Sequence, residues 1–170
     1  MNFSEAYTEH SSKHRDYFPI YDNIFSNNNI DRNESYKILE IGVDIGSGVR
    51  ALKKYFPNSQ IYGLDIKDEC KKHEEENINI IIGSQVNDKI LEELAKKEFD
   101  IIIDDGSHHN NHVFKTFDSL NQSKYFAGIM MLVLNLGSKY ITMELSESQD
   151  ELLKNKIIRR FLVFTVVFVA

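Results

Sequence analysis

The chain has 170 residues, 42% of them apolar and 27% charged, with a formal net charge of -6. That is enough for one domain with its own core, and the composition is that of a folded rather than a disordered chain. The acidic balance offers no basic surface to neutralise phosphates, which excludes broad binding to nucleic acid or anionic lipid and points to a small-molecule or sugar-like substrate.

The first 17 residues are polar and carry Glu5, Glu9, Lys13, His14 and Arg15 where an export signal would need an apolar core. Export is not expected, and the cytoplasm is. Residues 1–33, with Tyr17-Phe18-Pro19-Ile20-Tyr21 and the turn Asn27-Asn28-Asn29, read as a short N-terminal helical cap. Residues 34–170 then read as one α/β domain, the whole making a single structural domain. Short β-branched runs alternate there with amphipathic stretches, the pattern of a parallel sheet flanked by helices on both faces. The expected strands are 37–41, 60–65, 78–82, 99–103, 128–136 and the apolar tail 161–170.

Between them a helix is expected over 47–56, with Val49, Leu52, Tyr55 and Phe56 on one face and Pro57-Asn58 ending it. Residues 70–76 read as a short charged helix or loop. They include Cys70, the single cysteine, so neither an intrachain disulfide nor a cysteine zinc site can form, and a reducing compartment follows. A helix capped by Asn87-Asp88 should run to Lys97, with Ile90, Leu91 and Leu94 at helical spacing. Another is expected over 110–123, turning Val113, Phe114, Phe117 and Leu120 inward, and a last one over 144–154. The tail Phe161-Leu-Val-Phe-Thr-Val-Val-Phe-Val-Ala170 is about half the ~20 residues that span a bilayer, so it reads as a buried strand and not a membrane anchor.

Chemistry should gather beyond the carboxyl ends of the strands, where such sheets bind ligands. Glu40-Ile-Gly42-Val-Asp-Ile-Gly46-Ser-Gly48 follows the first strand, its glycines allowing a sharp turn and close approach to a ligand. Asp65, ending the second strand, can accept hydrogen bonds from both hydroxyls of a ribose. A nucleoside cofactor would satisfy both features. The plain alternative is a tight strand-to-helix turn with Asp65 as a cap. A second is a nicotinamide-dependent short-chain dehydrogenase, whose glycine pattern Gly42, Gly46 and Gly48 formally match. Such enzymes need a Tyr-x-x-x-Lys pair, and none of the eight tyrosines has lysine four residues later. Glu40 favours instead a methyltransferase, in which an acid helps organise the site around a cationic sulfonium.

After the fourth strand comes Asp104-Asp105-Gly106-Ser107-His108-His109-Asn110-Asn111-His112. Two carboxylates and three imidazoles can supply a cation ligand, a general base and a helix cap. His108 reads as functional, while His109 and His112 read as solvated residues and Asp105 or Ser107 as the cap of the next helix.

Ile38-Leu-Glu-Ile-Gly42, Tyr62-Gly-Leu-Asp65, Gly83-Ser-Gln85 with Asp88, and Ile103-Asp-Asp-Gly-Ser-His108 with His112-Val113 together resemble the macrolide-sugar O-methyltransferases of the demethylmacrocin and mycinamicin type. The resemblance covers residues 17–120 and implies a Rossmann-like class I methyltransferase fold that transfers a methyl group from S-adenosylmethionine to a sugar or other small-molecule hydroxyl. In that family the second Asp of the last run binds magnesium and the His is the general base, roles that fall here on Asp105 and His108. By the same comparison Glu40, Gly42, Gly46, Asp65 and Ser84 would contact the cofactor, with Asp104 near its methionine end. Family members end the fifth strand in Glu-Asp, completing the metal site; this chain carries Leu134 and Asn135 there. Asp105 alone would hold Mg2+ poorly, since hard cations need several oxygen ligands. The alternative function is therefore a shortened, non-catalytic protein that keeps the cofactor. The acceptor and the oligomeric state, homo-oligomer or not, are left open by the sequence.

Overall fold

The computed structural model describes residues 1–7, 18–120, 125–131 and 161–166. It falls into two compact units, Met1–Ser84 and Gln85–Ala170.

In the first unit, α1 (Phe3–Ala6) and α2 (Phe18–Asn27) precede β1 (Lys37–Ile41), α3 (Ser47–Tyr55), β2 (Gln60–Asp65), a 3-10 helix (Asp68–His73) and β3 (Ile78–Ile82). β1 pairs with β2 and β2 with β3, both parallel. The strands read as apolar runs because Ile38, Leu39, Ile41, Ile61, Leu64, Ile78 and Ile80 are all buried, as central parallel strands require. Helix α3 buries the expected face, Val49, Leu52, Tyr55 and Phe56. The cap is helical, as expected. Phe3 makes edge contacts with Phe25 and Tyr55, so the cap docks on α3 through aromatic rings. Asn2 and Glu5 close a reciprocal capping box that lets the four-residue α1 persist. The stretch foreseen over 70–76 is the 3-10 helix, starting two residues earlier.

The second unit holds α4 (Asp88–Ala95), β4 (Ile101–Asp104), α5 (Asn110–Leu120), β5 (Tyr125–Met131) and β6 (Phe161–Val166). Asn87 caps α4 by accepting from the Ile90 N–H at 3.3 Å. β4, β5 and β6 pair in parallel. The fifth strand thus begins at Tyr125, three residues before the expected start. Tyr125 and Phe126 are good strand formers, and Gly128 lies inside the strand, paired with Asp104, instead of opening it. Leu134, Asn135, the helix expected over 144–154 and the last four residues of the tail lie outside the described residues. Helix α5 also departs from expectation: Phe114 is 49% exposed, and the buried stripe is Val113, Thr116 and Leu120. These follow i, i+3, i+7 spacing, with a hydroxyl residue in the middle.

Glycine is obligatory at Gly48, because a methyl group there would lie 2.2 Å from Oε1 of the buried Glu40. Gly48→Ala should therefore destabilise the chain by about 2 kcal/mol or more, read as a lowered urea midpoint. Adding Glu40→Ala should recover part of the loss, and an additive double variant would show that the two side chains do not share this space.

Candidate functional site

In the first unit, Glu40 is the penultimate residue of β1, buried to 1% exposure. The chain then turns through Gly42 and Gly46, at φ +89° and +78°, with Asp44 between them at +47°. Asp is among the residues that tolerate this left-handed region. Within the turn the Gly42 N–H donates to the Leu64 carbonyl of β2 and the Gly46 N–H to the Val43 carbonyl, and Asp65 collects the two between them. Its Oδ2 accepts from Val43 N at 2.8 Å and Asp44 N at 3.0 Å, and its Oδ1 from Lys67 N at 2.9 Å. Burial pushes the Asp65 carboxyl up, but these backbone N–H bonds, with Cys70 beside it, outweigh that and hold it below the ordinary aspartate value.

Asp65 therefore clasps the glycine loop. An ionised carboxylate offers about four acceptor positions; three take backbone N–H groups, and the Cys70 thiol also hydrogen-bonds to it. On the other side of the loop Arg50 donates to the Ile45 carbonyl at 3.1 Å and to Nδ1 of His73 at 3.2 Å. A guanidinium can only donate, so Nδ1 accepts and the His73 proton sits on Nε2. Burial, then Arg50, lowers the His73 pKa. The Cys70 thiol is pushed up to about 11, first by burial and then by Asp65, which makes it unreactive. Ser84 is half-buried two residues past β3, at the end of this unit.

In the second unit, Asp104 ends β4 and is fully buried. Burial raises its carboxyl pKa to about 6, against the opposing pull of hydrogen bonds from Gly106 N and the Gln85 amide. Gln85 donates through Nε2 to Oδ2 of Asp104 at 3.1 Å and Oδ1 at 3.3 Å, and to Thr116 Oγ1 at 3.3 Å. Its Oε1 accepts from Ser107 N at 2.8 Å. Gly106 N donates to Oδ1 of Asp104 at 3.2 Å. The turn so held presents His108 at φ +59°, a conformation costing a non-glycine residue roughly 1–2 kcal/mol. Nε2 of His108 lies 3.7 Å from Oδ1 of Asp105, and its Nδ1 is buried without a hydrogen-bond partner among the described residues. Ser107 Oγ meets His112 Nδ1 at 2.8 Å, and His109 is exposed. His112 thus points back along the start of α5.

The expected site residues divide between the units: Glu40, Gly42, Gly46, Asp65 and Ser84 in the first, Asp104, Asp105 and His108 in the second. Residue reading alone missed Gln85 and Thr116 as parts of the network, and Arg50 and His73 as supports of the loop. Among the described residues no three His, Cys, Asp or Glu side chains converge to hold a metal ion. Asp105 lies beside His108, and the described residues do not by themselves assemble a magnesium site. No helix among them is long and apolar enough to cross a membrane.

Parallel strands, a strand-to-helix glycine loop and an acid ending β2 are the features of the Rossmann-like class I methyltransferase fold. No protein-family model matches the chain. Over 131 residues it is 41% identical to mycinamicin VI 2''-O-methyltransferase of Micromonospora griseorubida, a match taking in 71% of this chain and 29% of that one. Over 99 residues it is 43% identical to demethylmacrocin O-methyltransferase of Streptomyces fradiae, covering 52% of this chain and 25% of the other. Among solved structures, the MycE methyltransferase of the mycinamycin pathway, in complex with Mg, SAH and Mycinamycin VI, superposes with a TM-score of 0.60 at 36% identity, over 71% of this chain and 35% of that one. By sequence and by structure the chain is similar to macrolide-sugar O-methyltransferases, and it spans about a third or less of the length of the relatives it matches.

Burial of Asp104 sets a pH dependence. Its carboxyl binds its proton more tightly folded than unfolded, so its contribution to stability is fully present below about pH 4 and is lost as pH rises through about 6. Carboxyl-detected NMR should find Asp104 titrating near pH 6, and a midpoint below about 4.5 would show that burial does not govern this group.

Proposed function

We propose that the chain binds S-adenosylmethionine and transfers its methyl group to a hydroxyl of a sugar or sugar-bearing small molecule. The observation that carries this reading is the 41% identity, over 131 residues, to a protein named as a sugar-directed O-methyltransferase. Residues 1–33 serve as a helical cap and 34–170 as the cofactor-binding domain. When bound, the cofactor supplies an electrophilic methyl on a sulfonium, whose departure leaves a neutral thioether.

The glycine loop, already clasped by Asp65, receives the nucleoside, and the Asp65 carboxylate accepts from its ribose. Gly42, Gly46 and Ser84 line the path of the cofactor. Glu40 places a carboxylate beneath Gly48, where it favours a cation. Asp104 serves the methionine end. His108 takes the proton of the acceptor hydroxyl as its oxygen bonds to the methyl carbon, and Asp105 at 3.7 Å balances the imidazolium that results. No step is assigned to magnesium, and Asp105 would be its ligand only together with oxygens from outside the described residues.

The reading is tested with labelled S-adenosylmethionine against mycinamicin VI, demethylmacrocin and nucleotide sugars, with and without Mg2+. Methyl transfer to at least one acceptor is expected. His108→Ala should cut turnover about 100-fold with cofactor affinity little changed, and His112→Ala should do much less. Equal rates for wild type and His108→Ala would remove the base assignment. Cofactor binding without transfer to any acceptor would favour a non-catalytic adenosyl-binding protein.

Asp65→Ala should weaken cofactor binding by about 1.5–3 kcal/mol, the range for a hydrogen bond to a charged group. Calorimetry with S-adenosylhomocysteine checks this. Because Asp65 also holds three backbone N–H groups, hydrogen exchange over residues 43–46 should accelerate in the same variant. An unchanged dissociation constant would mean that the ribose lies elsewhere.

A further inference from the structure

We infer that Gln85 is the positioning residue for His108, an inference that rests on the methyl-transfer reading for its kinetic consequence but not for its structural one. Gln85 is buried, and its amide does three things at once within the second unit. It donates to the Asp104 carboxylate at the end of β4, donates to Thr116 in α5, and accepts from the Ser107 N–H in the turn between them. The orientation is forced, because Ser107 N–H can only donate and must face Oε1, which turns the NH2 group toward the carboxylate.

The consequence falls on His108. Its backbone is left-handed, and the N–H of the residue before it, Ser107, is gripped by Gln85 at 2.8 Å. A strained residue persists only where its surroundings over-determine it. Here they do so from two sides, through Gly106 N on Asp104 and Ser107 N on Gln85. Thr116 adds a brace: its hydroxyl donates to the His112 carbonyl at 3.0 Å while accepting from Gln85, so the amide is tied to the first turns of α5.

No other side chain would serve. Leucine has the size but neither donor nor acceptor. Glutamate would set a second carboxylate against Asp104. Asparagine, one methylene shorter, would reach one partner and lose the other. Gln85 touches no reacting atom in this scheme and acts through His108.

The test uses the full chain as wild type, Gln85→Leu, Gln85→Asn, His108→Ala and the double variant Gln85→Leu/His108→Ala. Hydrogen exchange by mass spectrometry is read over residues 104–109, with α4 as internal control, and methyl transfer is read as separate kcat and KM values with mycinamicin VI and demethylmacrocin as acceptors. Gln85→Leu should speed exchange over 104–109 by about tenfold or more while α4 stays protected, with Gln85→Asn intermediate. It should also lower kcat by about 30-fold with KM for the acceptor nearly unchanged. In the His108→Ala background, Gln85→Leu should add little further loss, since two residues acting through one group are not additive.

Full additivity in the double variant, or unchanged exchange over 104–109, would overturn the inference. Should Gln85→Leu fail to fold, Gln85→Asn carries the same comparisons. A wild type that transfers no methyl group to any acceptor defeats the functional reading, while the exchange measurement still decides whether Gln85 holds the turn.

Discussion

Three backbone N–H groups, those of Val43, Asp44 and Lys67, converge on the carboxylate of Asp65, and the form of the first unit's ligand-facing end depends on it. In a loop with positive φ at Gly42, Asp44 and Gly46, the Gly42 and Gly46 N–H groups find backbone carbonyls on Leu64 and Val43, but the Val43 and Asp44 amides between them need a side-chain acceptor. Asp65 stands in register at the end of the neighbouring strand and supplies that acceptor in fixed geometry. The entropy of ordering the loop is thus spent in folding rather than in binding, which is how a preformed site gains affinity. The arrangement has a cost, since each acceptor position given to the loop is one fewer for a ligand hydroxyl.

The second unit meets a similar need with different chemistry. Its carboxylate, Asp104, is wholly buried and so resists ionisation, which makes it a poor sole anchor for a polar turn. An amide can donate and accept at once, and Gln85 uses both capacities to join that carboxylate to the Ser107 N–H. The two units therefore hold their loops by opposite means: a partly solvated anion that gathers donors, and a neutral amide that relays between a buried acid and the backbone.

How much of this could be read from the residues follows from the range of the interactions. β1, β2 and β3 stand where the β-branched runs placed them, because apolar runs bounded by turn residues are local signals. The places of Glu40 and Asp65 near the ends of β1 and β2, and of the glycines in the turn that follows β1, were legible for the same reason. Gln85 and Thr116 were not legible, since their partners lie 19 to 31 residues away in the chain and a polar residue facing inward breaks the apolar pattern used to orient a helix. That is also why Phe114 was taken as inward and Thr116 overlooked. The start of β5 was misplaced because Gly128 looked like punctuation and proved to lie within the strand. The particular roles of Asp105 and His108 came from resemblance, while the local reading of the run only set His108 apart from His109 and His112. The structure separates their settings: His109 is exposed, His112 is engaged by Ser107, and His108 sits beside Asp105.

That last pairing bears on how little machinery a methyl transfer of the proposed kind demands of this chain. A base that takes up a proton becomes cationic, and in a half-buried setting the new charge needs a counter-charge. Two unit charges about 4 Å apart attract by roughly 1 kcal/mol in water and about 4 kcal/mol at an effective dielectric near 20. Asp105 stands at 3.7 Å from Nε2 of His108, and with the histidine about one-third exposed the gain lies toward the lower part of that range. Such a gain, realised only after the proton has moved, favours the transition state over the bound ground state. A cation coordinated by Asp105 would compete for the same carboxylate and weaken this compensation.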